Sequence, residues 1–334
     1  MVTNLSMRRI IGLGVLAILL PAANAGAWID TGHKIIAMIV WDELTPAAKA
    51  RVTEILKQHP RYEKDLLQNA PEGLSDADAA KYAFATAATW PDMVRSQYNP
   101  MHTLYNHPNW HYIDIPFVVD NQPLPPPHET ATQDAAPAGP TNVVEALTKN
   151  VADLKDANVS ESDKAIALCW VLHLIGDIHQ PLHAAMLVSP QYPYGDQGGN
   201  LILVLRDPPY ANSRTNLHLL WDELPGQYKS LDMDSNIAQG LRNDPRYTRE
   251  KLKDALAMKD YMAWANESHE LAVKYAYLDG KLQGANAHPK NGETRSDTIP
   301  GLPPRYVQTA EEIAMQRVIL AGYRSADMLN EMFK

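Results

Sequence analysis

The segment His173-Leu-Ile-Gly-Asp-Ile-His-Gln-Pro-Leu-His183 decides the expected fold, because it combines a buried helix with metal-ligand residues. It completes the apolar run that begins at Ala165. Residues four apart share one face of a helix, so His173 and Asp177 can point at one metal ion. Pro181 then ends or bends the helix and lets His183 approach from another direction. The segment predicts a long helix with metal ligands at its C-terminal end.

A second pair has the same spacing, in His218-Leu-Leu-Trp-Asp222. Imidazole and carboxylate are suitable zinc ligands, and catalytic zinc sites commonly leave one position for water. Taken alone, each pair is more often a hydrogen-bonded pair on a helix surface. The chain has one cysteine, Cys169, which we expect to be buried; this excludes an intramolecular disulfide and multi-cysteine zinc sites. Metal binding must therefore depend on His, Asp and Glu.

Two further clusters could extend such a site. In Trp90-Pro-Asp92-Met-Val-Arg95, a carboxylate and a guanidinium lie one helical turn apart. In Trp110-His111-Tyr112-Ile-Asp114, an imidazole and a carboxylate flank an aromatic ring. The simpler interpretations are a helix salt bridge for the first cluster and a half-buried histidine in a strand or loop for the second.

The N-terminus resembles a secretory signal peptide. A basic segment at Arg8 and Arg9 precedes the apolar run 10–20, and Ala25-Gly-Ala27 matches a cleavage site. The run is too short for a transmembrane helix, which needs about 20 residues. Cleavage after Ala27 would leave Trp28 with a free α-amine near His33, whereas cleavage after Ala25 would leave Gly26 at the terminus. We expect residues 1–27 to be removed and residues 28–334 to form one domain, periplasmic or secreted, with no transmembrane anchor.

Composition and patterning predict a single all-α domain with at most a small β-hairpin. Helical patterns cover Pro46 to about Gln58, 75–89, 165–175, about 245–278 and 309–332, and Leu201–Leu205 could form one arm of a hairpin. The proline-rich stretch 121–140 reads as a surface loop. The formal net charge of −9 argues against non-specific nucleic-acid binding, unless bound divalent cations dominate the local charge.

Together these residues resemble the trinuclear-zinc, single-strand-specific nucleases of the mung bean type, the S-one/P-one family. The family shares its helical fold with bacterial zinc-dependent phospholipase C. The resemblance implies three Zn²⁺ per chain: one held by Asp92, His111, His173 and Asp177; one by His183, His218 and Asp222; and one by the Trp28 amine and carbonyl with His33, sharing Asp177. It also implies a supporting role for His179, and a tight turn at Gly198-Gly199-Asn200 that shapes the site. The disulfides of fungal and plant members are absent.

The resemblance implies a phosphodiesterase that cleaves single-stranded DNA and RNA to 5′-phosphate products and removes 3′-phosphates from 3′-nucleotides. Two metal ions that share a carboxylate can activate a water and clamp the oxygens of an in-line displacement, which gives Asp92 and Asp177 catalytic roles. Arg95 is expected to contact the phosphate. Tyr112 would stack on a base, and Asp114 would accept hydrogen bonds from its edge.

Two alternatives remain open on the sequence alone. A zinc-dependent phospholipase C would use the same metals, although an aromatic ring beside an acid suits a nucleobase better than the aromatic cage expected for choline. A periplasmic zinc-binding protein without activity would need the ligands but no open coordination position. No stable protein partner is implied by any of these readings.

Overall fold

The computed structural model describes residues 28–125, 139–206, 214–228, 230–287 and 299–334. The predicted signal peptide, residues 1–27, and the central part of the proline-rich stretch 121–140 lie outside the described residues. The helices are α1 Asp30–Glu43, α2 Pro46–Leu56, α3 Asp76–Ala87, α4 Trp90–Met93, α5 His102–Tyr105, α6 Val143–Lys155, α7 Glu161–His179, α8 Leu217–Asp222, α9 Leu231–Asn243, α10 Lys253–Ala257, α11 Tyr261–Leu271 and α12 Tyr306–Met332.

Helix α7 lies at the centre of the molecule. Nearly all of its side chains are buried, because α1, α2, α6, α11 and α12 pack around it. A helix that is apolar on every side is stable only when it is enclosed in this way. Its first turn is capped by Ser160, whose hydroxyl accepts a hydrogen bond from the Asp163 amide at 3.1 Å. Its last residue is His179, and Pro181 begins a short 3₁₀ turn, Pro181–Ala184. The predicted helix and its end are confirmed.

Helix α1 is clamped against the C-terminal half of the chain. Glu43, in its last turn, accepts hydrogen bonds from Arg242 at 2.6 Å and from Arg249 at 2.9 Å. These guanidinium groups hold the pKa of Glu43 below its usual value, against the opposing effect of its partial burial. Along the same helix, Ile39 packs directly onto the backbone of α12 at Gly322. The N-terminal helix is thereby fixed in place beside α7.

Strands are few and short, which agrees with the predicted mainly helical domain. Strands β1 Pro116–Val118 and β2 Met186–Val188 pair in parallel. Strand β3 Ile202–Leu205 pairs antiparallel with β4 Arg214–Asn216 and β5 Ala285–Asn286. The expected arm at 201–205 is therefore present, in a slightly larger sheet than a hairpin.

The predicted helical segment 245–278 is not continuous. It is divided into α10 and α11, and α11 continues into a π-helical turn at Ala272–Ala276. The interruption follows from local caps: Asp260 accepts a hydrogen bond from the Ala263 amide at 2.7 Å and so starts a new helix. Helices α1, α6 and α9 were not predicted. In the described ranges, no helix is long and apolar enough to cross a membrane.

The crossing of α1 and α12 predicts a sharp contrast between two glycine substitutions. A Cβ added at Gly322 would lie 2.4 Å from Cγ2 of Ile39, whereas one added at Gly240 in α9 would meet nothing within 4 Å. Gly322→Ala should therefore destabilise the protein by about 1–3 kcal/mol through overpacking. Gly240→Ala should be neutral or stabilise it by up to about 1 kcal/mol, because alanine restricts the unfolded chain. Chemical denaturation of both variants provides the measurement, and equal stabilities would contradict the described crossing.

Candidate metal centre and active site

Three groups of histidine and aspartate side chains lie at the C-terminal end of α7. Within each group the nearest ligand atoms lie no more than 4.8 Å apart. Two of the groups include His173, on one face of this helix, and the third lies beyond the end of the helix. The ligand residues come from α1, α4, the 3₁₀ turn Pro108–His111, α7, the 3₁₀ turn Pro181–Ala184 and α8. The centre therefore depends on elements spread over about two hundred residues of sequence.

The first group is formed around the predicted helical pair. His173 Nε2 and Asp177 Oδ2 lie 3.2 Å apart, and His111 Nδ1 lies 3.0 Å from each of these atoms. Asp92 Oδ1 is 3.8 Å from His173 Nε2 and 4.0 Å from His111 Nδ1. Arg95 Nη1 lies 3.3 Å from Asp92 Oδ1, as expected for residues one turn apart. The four ligands predicted for one ion thus converge.

The second group uses the other oxygen of Asp177. His33 Nε2 lies 3.3 Å from Asp177 Oδ1, and the rings of His33 and His173 stack with centroids 4.0 Å apart. The two carboxylate oxygens of Asp177 therefore face different histidines, which is the arrangement of a bridging carboxylate. Trp28 is buried beside them, and its indole donates a hydrogen bond to the Gly176 carbonyl at 3.0 Å. This bond holds the backbone of residue 28 over α7.

The third group combines the second sequence pair with the histidine that follows the helix. Asp222 Oδ2 lies 3.5 Å from His218 Nε2, and Asp222 Oδ1 lies 3.9 Å from His183 Nε2. Gln180 donates a hydrogen bond to Asp222 Oδ1 at 2.6 Å. All three ligand side chains are buried. Pro181 thus has the predicted effect of redirecting the chain, so that His183 meets residues from α8.

Backbone carbonyls fix the orientation of the histidine rings. Nδ1 of His173 donates a hydrogen bond to the Ala88 carbonyl at 2.8 Å. Nδ1 of His183 donates to the His111 carbonyl, and Nδ1 of His218 donates to the Gly198 carbonyl, each at 2.7 Å. Because a carbonyl only accepts, each of these Nδ1 atoms carries a proton, and in a neutral ring the Nε2 atom then keeps a lone pair directed into the centre. Such outer hydrogen bonds are typical of histidines that ligate metals.

These residues fit bound divalent cations. Nε2 of His33, His183 and His218 and Oδ1 of Asp177 are buried and have no hydrogen-bonding partner in the described part of the chain. Buried polar atoms without partners are costly, so a ligand that satisfies them stabilises the fold. Ligand atoms about 2.0–2.1 Å from a tetrahedral ion are spaced about 3.3 Å apart, close to the separations found here. The donor set of imidazoles and carboxylates suits zinc among other transition metals.

Electrostatics lead to the same conclusion. Burial lowers the pKa of His183 to about 4 and that of His218 to about 3, so both rings are neutral at physiological pH. Burial also raises the pKa of Asp222 well above its ordinary value. In contrast, Asp177 and Asp92 raise the pKa of His173 to about 9, against the opposing effect of burial. A divalent cation would stabilise the charged carboxylates and displace the proton from His173.

His179 supports the centre and is not available as a ligand. Its Nδ1 donates to the Ile175 carbonyl at 2.8 Å, and its Nε2 accepts from Arg324 Nη1 at 2.8 Å. Arg324 is also held by Glu267 through bonds of 2.7 and 2.8 Å. Both ring nitrogens are thus occupied by a buried network that ties α7 to α12. Arg324 was not singled out from the sequence, since a helical arginine gives no signal of its buried partner.

The glycine turn at 198–199 positions His218, as its expected shaping role requires. Asp196 is buried and accepts hydrogen bonds from the Leu187 and Gly199 amides, each at 2.8 Å. Both glycines have positive φ, and a Cβ at Gly198 would lie 2.7 Å from the Leu182 carbonyl oxygen. The turn therefore presents the Gly198 carbonyl to His218. Asp196 and Gln180 were missed, although each stands beside a motif that was noticed.

Comparison with known proteins agrees with this geometry. The S1/P1 Nuclease family matches residues 28–334. The chain belongs to the S1/P1 nuclease family. It is 28% identical to Endonuclease 1 of Arabidopsis thaliana, over 98% of this chain and 94% of that protein. It is 30% identical to Endonuclease 4 of the same plant, over 75% and 77% of the two chains. Nuclease S1 of Aspergillus oryzae is 25% identical, over 97% and 98%.

Membership of the S1/P1 nuclease family confirms the resemblance read from the ligand spacing. It makes the protein a hydrolytic phosphodiesterase that acts on nucleic acid, and it disfavours the phospholipase C and non-enzymatic alternatives. The His and Asp groups indicate a metal-dependent member. The ligand and substrate roles of the single residues stay predictions. Of the expected substrate residues, Arg95 lies beside Asp92, while Tyr112 is 38% exposed and Asp114 is exposed two residues further on.

The close approach of His33 to α7 predicts a disruptive substitution. A Cβ added at Gly176 would lie 2.7 Å from Nδ1 of His33, within a buried centre that offers the ring no space. Gly176→Ala should displace His33 from Asp177, so that the purified protein holds fewer metal ions per chain than the wild type. Metal content by mass spectrometry is the measurement, with Gly240→Ala as the matched control. Unchanged metal content in Gly176→Ala would contradict the predicted displacement of His33 from the centre.

Proposed function

We propose that the protein is a secreted zinc-dependent endonuclease that cleaves single-stranded DNA and RNA to 5′-phosphate products and also removes phosphate from 3′-nucleotides. The observation that carries this proposal is the convergence of the three ligand groups, with Asp177 facing two of them. A cleft lined by Asp92, Arg95 and Asp222 reaches this centre from solvent. Substrate can therefore approach the ligand groups directly.

Three zinc ions would be held by the residues expected from the sequence. Asp92, His111, His173 and Asp177 would hold one, Trp28, His33 and Asp177 a second, and His183, His218 and Asp222 a third. Bound divalent ions supply Lewis acidity, an activated water and neutralisation of phosphate charge. The protein contributes a rigid frame, because backbone carbonyls orient three of the histidine rings and the ring of His33 stacks on that of His173.

Arg95 would bind the phosphate. Its guanidinium lies 3.3 Å from Asp92 and is 19% exposed, so it sits at the border between the buried ligands and the cleft. It lines the same cleft as Asp92 and Asp222, which belong to the first and third ligand groups. A guanidinium can donate two parallel hydrogen bonds to a phosphate and so orient it.

Tyr112 and Asp114 would bind one base of the substrate. Tyr112 follows His111 directly, and its hydroxyl donates to Asn109 Oδ1 at 3.2 Å, which restrains the exposed ring. Its carbonyl accepts from the Val143 amide at 3.0 Å, which fixes the backbone. Stacking on a tyrosine is worth about 1–3 kcal/mol per base and tolerates any base. Unpaired bases can reach such a ring, which supports a preference for single strands.

The central test is cleavage of single-stranded DNA and RNA by the zinc-loaded protein. Asp177→Asn should lower kcat/KM by about 100-fold or more, because both metal sites that use this carboxylate lose charge. The matched control Asp153→Asn removes a surface carboxylate, paired with Lys149, and should leave the rate unchanged. Chelation should abolish cleavage, and added zinc should restore it. Zinc-loaded wild-type protein that leaves both nucleic acids intact would refute the proposal.

The zinc ion proposed at Trp28 and His33 depends on where the mature chain begins. We expect protein exported by a bacterial host to start at Trp28 and to hold three zinc ions; the start of the family match at residue 28 supports this boundary. A chain that retains Gly26 and Ala27 lacks the free Trp28 amine and should hold fewer ions. Binding should also weaken below about pH 7.7, since the α-amine must lose its proton to bind zinc. Intact-mass measurement with metal analysis tests this; a Gly26 terminus with three zinc ions would contradict it.

A further inference from the structure

A cleft opens to solvent beside the three ligand groups. We call this cavity, which has a volume of about 980 Å³, the tyrosine cleft. Its lining includes Asp30, Arg95, Tyr98, His102, Gln227 and Tyr228. Asp92 and Asp222 also line it, so it is continuous with two of the ligand groups. Tyr112 and Asp114 are not among its lining residues. The cleft is therefore a separate surface that a bound strand can reach from the same centre.

Tyr228 is held in a defined position in this cleft. Its amide donates to Thr31 Oγ1 at 3.0 Å, and the same hydroxyl donates to the Tyr228 carbonyl at 3.0 Å, which pins the loop to α1. Its ring lies against Gly226, where φ is +114° and an added Cβ would be 2.2 Å from the ring. The ring thus packs on a residue that must be glycine, while 38% of the side chain stays exposed. The ring of Tyr228 therefore has a defined position before any ligand binds.

Tyr98 contributes a second aromatic ring to the lining of the cleft. It is 87% exposed, the largest exposure among the large hydrophobic side chains in the described ranges. The surrounding turn is fixed: the Tyr98 amide donates to Ser96 Oγ at 3.3 Å, and His102 Nδ1 donates to the Val94 carbonyl at 2.9 Å. A fixed loop that leaves an aromatic ring in solvent beside a functional centre is typical of a binding surface.

In the part of the cleft that lies away from the metal centre, the distribution of charge favours binding of a nucleobase over binding of a phosphate. Asp92 already neighbours Arg95, Asp30 lies 3.6 Å from Lys34, and Glu223 forms an ion pair with Arg206. The part of the wall formed by Tyr98, Gln227 and Tyr228 carries no formal charge. Tyrosine rings suit the faces of bases, and a glutamine amide can hydrogen-bond a base edge.

We propose that the tyrosine cleft is a second nucleobase subsite, which binds the nucleoside on the other side of the cleaved phosphate from the one at Tyr112. The inference rests on the proposed nuclease function and extends it from one base to two. Tyr98 and Tyr228 are then substrate-binding residues, and the strand is bound on both sides of the bond to be cleaved. Strands with two unpaired neighbouring bases are then better substrates than those with one.

The test uses a dinucleoside monophosphate and two analogues, one without its 5′ base and one without its 3′ base. For the wild type, loss of either base should lower kcat/KM by about tenfold or more, since each stacked base contributes. In the Tyr98→Ala, Tyr228→Ala double variant, the penalty for one of the two bases should disappear, while the penalty for the other persists. A double variant that keeps both penalties at wild-type size would overturn the subsite.

Controls separate stacking from folding and from the proposed function. Tyr98→Phe and Tyr228→Phe keep the rings and should preserve both base penalties. Tyr194→Ala removes a tyrosine that is 75% exposed and does not line the cleft, and it should leave the penalties unchanged. If Tyr228→Ala fails to fold, Tyr98→Ala alone carries the test, because its ring is almost fully exposed. Absence of cleavage of all three substrates by the wild type would instead refute the nuclease proposal.

Discussion

One carboxylate, that of Asp177, organises the structure, because its two oxygens face different groups of histidines. Oδ2 lies near His111 and His173, and Oδ1 lies near His33. A buried carboxylate is tolerated only when positive or polar groups surround it. Helix α7 must therefore be covered by α1 on one side and by the 3₁₀ turn that carries His111 on another. The packing of the domain and the assembly of its centre are consequences of the same constraint.

The convergence of the predicted ligand side chains could be expected from the sequence, because helical spacing converts directly into geometry. His173 and Asp177, like His218 and Asp222, are four residues apart, and the structure places each pair on one helix face. The proline after α7 predicted the change of direction that brings in His183. The grouping of ligands around separate ions came from the family resemblance, since spacing within one helix says nothing about which distant segments meet. The signal peptide and the amine of Trp28 remain predictions.

The supporting network was not predictable, for a physical reason. Arg324 and Glu267 lie on α12 and α11, where alternating polar and apolar residues predict solvent-exposed charges. Arg324 is instead buried against His179, and only tertiary packing reveals it. The structural role of Asp196 was equally hidden, because it consists of two hydrogen bonds that the carboxylate accepts from backbone amides across a loop. The broken helix at 245–278 was missed because side-chain periodicity continues across a cap that depends on local hydrogen bonds.

The tie between α7 and α12 has a consequence for biosynthesis. The expected ligands end at Asp222, yet the histidine network that braces them is completed by Arg324, about one hundred residues further along the chain. A chain still emerging from the ribosome lacks this brace and the packing of α12 against α1 and α7. The brace can therefore form only once α12 has been synthesised, so the sequence that orders His179 is separated in time from the sequence that supplies the ligands.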